Sequence, residues 1–290
     1  MKTFTVLVTF LFLLITTHSF PQLEQAPLRE DTAYSFDNVP IVYQKTGNGK
    51  EVLVFIHCWS CDKSYWANQL EYFANNYTVI AIDLAGHGES GFDRTGWTIE
   101  NYGKDVKAVV EKEKLNNVIL IGHSMGGAVV LSAAQQSRNS GIKALIGIDT
   151  FQDIEYMFTK EQYAGFVKPF EEDFRTATKE FIKQMFPENA DSNLVEMISS
   201  DMSSAPKDVA LASFNDLFSF NEAENFDKIN IPVRFLNADH YPTNVESAKR
   251  HIKDFGVKIM KGAGHFLMLE NPVEFNKLLE ETITGLSINK

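Results

Sequence analysis

VILIGHSMGGAVV, residues 118–130, is an apolar run of strand length that breaks at a glycine and resumes as a small-residue helix start. Gly122 and Gly126 stand two residues either side of Ser124. Gly-x-Ser-x-Gly between a strand and a helix is the pattern of a tight, strained turn that lifts a serine hydroxyl above the strand end. Glycines flank it because neighbouring backbone must approach with no Cβ in the way. Ser124 is therefore the candidate nucleophile.

Working outward, the same rhythm repeats. Short apolar runs at 51–56, 77–82, 118–121 and 144–148 read as strands. Stretches 64–75, 98–113 and 128–136 have helical spacing, with Tyr102, Val106, Val109 and Val110 on one face of the second. Near-continuous apolar strands alternating with helices predict a mostly parallel sheet covered on both faces. From 151 to 227 no strand pattern is found. That segment reads as helical and holds eleven of the chain's 23 phenylalanines, so aromatic packing should dominate it. Strand patterns return at 231–239 and 257–262, and an amphipathic helix closes the chain. The expected organisation is a leader at 1–19, a first core part at 20–150, a helical insert at 151–227 and a second core part at 228–290.

A serine hydroxyl needs a base, and the base needs an orienting acid. The elbow motif predicts the chain order serine, acid, histidine. Three histidines follow Ser124: His240, His251 and His265. His265 lies in GAGHFLMLE (262–270), between a strand and the last helix, and is the candidate base. His251 sits in a charged helix and reads as solvated; His240 is a runner-up. Two acids follow strands, Asp149 and Asp239. Asp239 is favoured because it lies one strand before His265, and Asp149 remains the alternative. His87, in the turn DLAGHGES (83–90), reads as structural.

Four stretches together, VFIHCWSCDKSYW (54–66), AIDLAGHGES (81–90), IGHSMGGA (121–128) and GAGHFLMLE (262–270), resemble the α/β-hydrolase superfamily over nearly all of residues 40–287. The resemblance implies an α/β-hydrolase fold with a helical cap inserted after the sixth strand, where the Phe-rich segment falls. It implies Ser124 as nucleophile, Asp239 at the usual acid position and His265 as base. The backbone N–H groups of Trp59 and Met125 take the positions of the oxyanion hole. The family usually has glycine after the residue corresponding to His57; here it is Cys58.

Composition narrows the function. The net charge of −11 lacks the basic footprint of a nucleic-acid binder. Residues 1–19 read as a secretory signal peptide, with Lys2 before a short apolar run. A secreted or periplasmic protein with no stable membrane insertion after cleavage is expected. The expected activity is hydrolysis of a carboxylic ester through an acyl-enzyme, with a small apolar acyl or aryl ester as substrate. That chemistry requires no metal or organic cofactor. A serine nucleophile disfavours epoxide hydrolase and haloalkane dehalogenase chemistry, which need a carboxylate. Lactone, amide, peroxy-acid and carbon–carbon bond hydrolysis fit the same residues, and a non-catalytic ligand-binding protein with a hydrolase pocket is the alternative of another class. Cys58 and Cys61, the two cysteines, are too few for a closed zinc site. They either pair in an oxidising compartment or stand as two small buried thiols.

Overall fold

The computed structural model describes residues 26–137 and 141–288; the leader expected at 1–19 lies outside them. The strands are β1 (Arg29–Tyr34), β2 (Pro40–Thr46), β3 (Val52–Ile56), β4 (Thr78–Ile82), β5 (Val118–His123), β6 (Ile142–Ile148), β7 (Val233–Ala238) and β8 (Phe255–Met260). The helices are α1 (Ala67–Phe73), α2 (Ile99–Lys112), α3 (Met125–Gln136), α4 (Lys160–Glu172), α5 (Phe174–Lys183), α6 (Ser192–Met202), α7 (Lys207–Leu217), α8 (Glu222–Phe226), α9 (Val245–His251), α10 (Leu267–Glu270) and α11 (Pro272–Ile288).

The strands form one sheet in the order β1-β2-β4-β3-β5-β6-β7-β8. β1 and β2 are antiparallel to their neighbours, and β3 to β8 run parallel. The central strands β3, β4 and β5 are buried at every position because both faces are covered. Val54, Ile56, Ile80 and Leu120 pack with α2 and α3 on one side, while Leu53, Phe55, Ile119 and Ile121 pack with α1 and α11 on the other. Each such side chain contributes roughly 1.5–3 kcal/mol by leaving water. The β1–β2 pair was not anticipated from the sequence. REDTAY over Arg29–Tyr34 is mostly polar and largely exposed, as suits an edge strand.

Between β6 and β7 the chain forms α4 to α8, with no strand among the described residues. The first of these helices starts at a capping box, in which Thr159 and Gln162 satisfy each other's backbone N–H. This insert lies over the C-terminal ends of the parallel strands, where α/β sheets place their ligands.

Candidate active site

Ser124 follows β5 at once and precedes the first residue of α3. Its backbone sits at φ 54° and ψ −119°, a conformation that costs about 1–3 kcal/mol outside glycine. The surroundings enforce it. A Cβ at Gly122 would lie 2.1 Å from the Gly126 carbonyl oxygen, and one at Gly126 would lie 2.6 Å from the Ile56 carbonyl oxygen. The two glycines thus let α3 pack down onto β5 and β3. The Ser124 N–H donates to the Ile148 carbonyl at 3.0 Å, which ties the turn to the end of β6.

Sheet register then decides which acid stands near. His123 pairs with Ile148, and Ile148 pairs with Leu236. Ser124 and Asp149 therefore leave the sheet side by side. Asp149 is buried, at φ 40°, and its N–H donates to the Leu236 carbonyl at 3.0 Å. Its Oδ1 accepts the Ala238 N–H at 2.8 Å, and its Oδ2 accepts His265 Nδ1–H at 2.6 Å. His265 is presented by the loop after β8. Its N–H donates to the Met185 carbonyl at 2.9 Å, and the flanking Gly264 and Phe266 amides donate to Glu270. With Nδ1 engaged by Asp149, Nε2 is the nitrogen left to face the cavity that His265 shares with Ser124.

Asp239 does not join this group. It lies three residues beyond Leu236, whereas Asp149 lies one beyond Ile148, the register partner of Leu236. There it is exposed, and its Oδ1 accepts the Gly262 N–H at 2.8 Å, closing the turn after β8. The expectation of Asp239 beside His265 is corrected in favour of Asp149, the alternative acid. Both acids follow apolar strands, so the sequence alone does not separate them.

Trp59 and Met125 both line the cavity. No described group accepts a hydrogen bond from either backbone N–H. For Met125 this follows from its place at the start of α3, where helical N–H groups have no partner in the helix. Trp59 lies in a loop closed by a Cys58–Cys61 disulfide with Cα atoms 5.3 Å apart. The alternative of two free thiols is thereby set aside. His57 secures the same loop. Its Nδ1–H donates to the Cys58 carbonyl at 2.8 Å, and its Nε2 accepts the Leu84 N–H at 3.1 Å. Burial drives its pKa down to about 4 and that of neighbouring His87 to about 3, so both stay neutral at pH 7. His87 donates from Nδ1 to the Ala85 carbonyl at 3.1 Å, a structural role as expected. Its turn is locked by buried Asp83, which accepts Lys63 Nζ at 2.8 Å and the Lys63 N–H at 2.7 Å.

Beneath His265 lies His123, which sequence reasoning passed over. Its Nε2–H donates to the His265 carbonyl at 2.8 Å. Burial holds its pKa well below the usual histidine range, so it acts as a neutral brace for the His265 loop. Its place inside the elbow itself, next to Ser124, was the available signal.

This arrangement can be set against known proteins. The sequence pattern of the Alpha/beta hydrolase family matches residues 53–278. The chain belongs to the α/β-hydrolase family. A non-heme chloroperoxidase of Burkholderia pyrrocinia is 40% identical over 96 residues, covering 32% of this chain and 34% of that protein. The chain spans only about a third of the length of such curated relatives. Solved structures agree over more of it. An esterase from Exiguobacterium antarcticum has a TM-score of 0.79 at 20% identity, covering 87% of this chain and 98% of that one. A bromoperoxidase from Bacillus anthracis has the same TM-score at 20% identity, covering 88% and 100%. At that identity the likeness is one of fold.

The cavity of this α/β hydrolase has a volume of about 350 Å³ and lies between the insert and the sheet edge. Its wall is mainly apolar. Phe181, Met185, Met202, Phe214 and Phe218 come from the insert. Trp59 joins the two parts: its ring stacks on Phe214 with centroids 3.8 Å apart, and its Nε1–H donates to the Ala210 carbonyl at 2.8 Å.

Proposed function

We propose that this α/β hydrolase cleaves carboxylic esters through an acyl-enzyme, with Ser124 as nucleophile, His265 as base and Asp149 as the orienting acid. The supporting observation is the convergence of a strained Ser124 and a buried His265–Asp149 pair on one apolar cavity. His265 Nε2 takes the serine proton as Oγ attacks the ester carbonyl. The imidazolium that forms is stabilised by Asp149, which also holds the tautomer with the proton on Nδ1. The free N–H groups of Trp59 and Met125 hold the developing oxyanion, a contribution of roughly 3–4 kcal/mol per donor in such sites. The alcohol leaves with the proton from His265, and water attacks the acyl-enzyme by the same route. The Cys58–Cys61 bridge fits a compartment that keeps thiols oxidised, which supports export of the protein.

The direct test is a burst of p-nitrophenol from a p-nitrophenyl acyl ester, at one equivalent per active site. No burst and no steady turnover across acetate to octanoate would defeat the ester reading. Lactones and aryl amides run beside them separate the alternatives that the same residues allow.

Two further outcomes are expected. The insert at 151–227 carries sixteen Asp/Glu against six Lys/Arg, a net charge of −10, around an apolar cavity. Neutral apolar esters should therefore have higher kcat/KM at low salt than analogues bearing a carboxylate, by about tenfold through like-charge repulsion on encounter. Equal values would show that the acidic face has no bearing on substrate. Reduction of Cys58–Cys61 should release the loop that carries the Trp59 amide. We expect kcat to fall about tenfold or more as one oxyanion donor loosens. Stability should fall by no more than about 2 kcal/mol, because the closed loop is so short. Unchanged kcat with both thiols titratable would remove the loop from the mechanism.

A further inference from the structure

One polar group in the cavity is left unexplained by ester hydrolysis. Glu222, in the first turn of α8, lines the cavity and has no hydrogen-bond or ion-pair partner among the described residues. Its neighbour Ala223 donates from its N–H to the Ile154 carbonyl at 3.1 Å, which holds α8 against the loop carrying Asp153 and Tyr156. Asp153 lines the same cavity, its carboxylate accepting only neutral donors, Asn244 Nδ2 and the Glu155 N–H. No lysine or arginine is among the residues of the wall. Loss of solvent, reinforced by Asp153, pushes the Glu222 carboxyl up to about 8.

Glu222 is half-buried, and its carboxyl, with no partner in the protein, is left to what enters the cavity. In a ligand cavity, the few polar groups of an apolar wall fix what binds. With the carboxyl raised to about 8, a neutral ligand leaves Glu222 mostly protonated at pH 7, whereas a bound cation favours its ionised form beside Asp153. The cation is thus the ligand that gains most from the pair. The surroundings also suit one: Tyr156, Phe158, Phe218 and Phe220 line the cavity with Glu222, and aromatic faces attract cations. The rings form a packed group, with Phe158 4.5 Å from Phe218 and 5.2 Å from Tyr156 between centroids. The negative insert favours the arrival of positive charge.

We propose that Glu222 is a specificity-determining residue and that the pocket takes esters bearing an ammonium group, which the carboxylate and the neighbouring rings hold. This rests on the ester-hydrolase reading for its chemistry, but not for its binding. The test compares 2-(trimethylammonio)ethyl hexanoate with its neutral isostere, 3,3-dimethylbutyl hexanoate. Wild type should favour the cation by about tenfold or more in kcat/KM, which is about 1.4 kcal/mol. In Glu222→Gln, which keeps the side-chain shape and the rings, the ratio should fall by about threefold or more as the charge partner is lost. Glu224→Gln removes an acid from the same helix whose side chain faces solvent and pairs with Lys228, and it should keep the ratio. A wild-type ratio near one overturns the proposal. So does a ratio unchanged by Glu222→Gln, or one that Glu224→Gln lowers equally. If neither ester is hydrolysed, the ester reading fails, and the ammonium site is judged by binding. Calorimetry on Ser124→Ala should then show choline binding about tenfold more tightly than 3,3-dimethylbutan-1-ol, with the difference reduced by about threefold or more on adding Glu222→Gln. Equal affinities there overturn it.

Discussion

Ser124→Ala should lower ester turnover by about 10⁴-fold or more if Ser124 is the nucleophile we propose, since its removal collapses the whole unit. Stability should hardly change, because alanine keeps the Cβ and inherits the same strained backbone at φ 54°. A shift within about 0.5 kcal/mol is expected for a substitution that removes no packing. The two readouts separate chemistry from folding: turnover collapses while the thermal midpoint stays. Ser124→Gly provides the contrast. It also removes the hydroxyl, but it relieves the left-handed strain and should melt no lower than the alanine variant. A fluorophosphonate should label Ser124 in the wild type and nothing in either variant. Labelling that persists in Ser124→Ala would place the nucleophile elsewhere.

Asp149→Asn should lower kcat by about 10⁴-fold, whereas Asp239→Asn should lower it by no more than about threefold. The asparagine at 149 fills the same space. It can still accept the Ala238 N–H, but it cannot stabilise an imidazolium, and its amide can hold the ring in the wrong tautomer. Asp239 lies at the surface, where its carboxylate fastens the turn at Gly262. Its loss loosens the approach to the His265 loop without touching the ring. Thermal melts of both variants are needed beside the kinetics, since the Asp149 pocket is buried. Should Asp239→Asn be the more damaging at equal stability, the acid assignment falls.

These two acids show where the sequence stopped being legible. The elbow, the base loop and the sheet core could be read because each is written locally: an apolar run, paired glycines, a histidine between strand and helix. The partner of His265 is set by lateral register between β6 and β7, which no local pattern records. One β7 amide, that of Ala238, captures Asp149, and the two extra residues before Asp239 carry that carboxylate out to solvent. The β1–β2 pair escaped for a different reason. An edge strand with one wet face lacks the apolar run that marks a buried strand. The Cys58–Cys61 pairing depends on how the intervening residues curl, and Ser60 at φ 56° supplies that curl. Glu222 was invisible as a site residue because an acid in an acidic helical segment looks like any solvated face.

The Trp59 side chain has a mechanical consequence. In the proposed mechanism one residue offers its amide to the reaction, and it gives its indole to α7 through the Ala210 hydrogen bond and the Phe214 stack. The roof of the cavity and the catalyst are thereby bolted together by a single part. A door hinged this way cannot swing wide while the oxyanion donor stays in place: lifting α7 either breaks the bolt or drags residue 59 with it. Under the proposed mechanism, a molecule large enough to lift α7 would also displace the Trp59 amide, so bulk against the roof should lower turnover as well as binding.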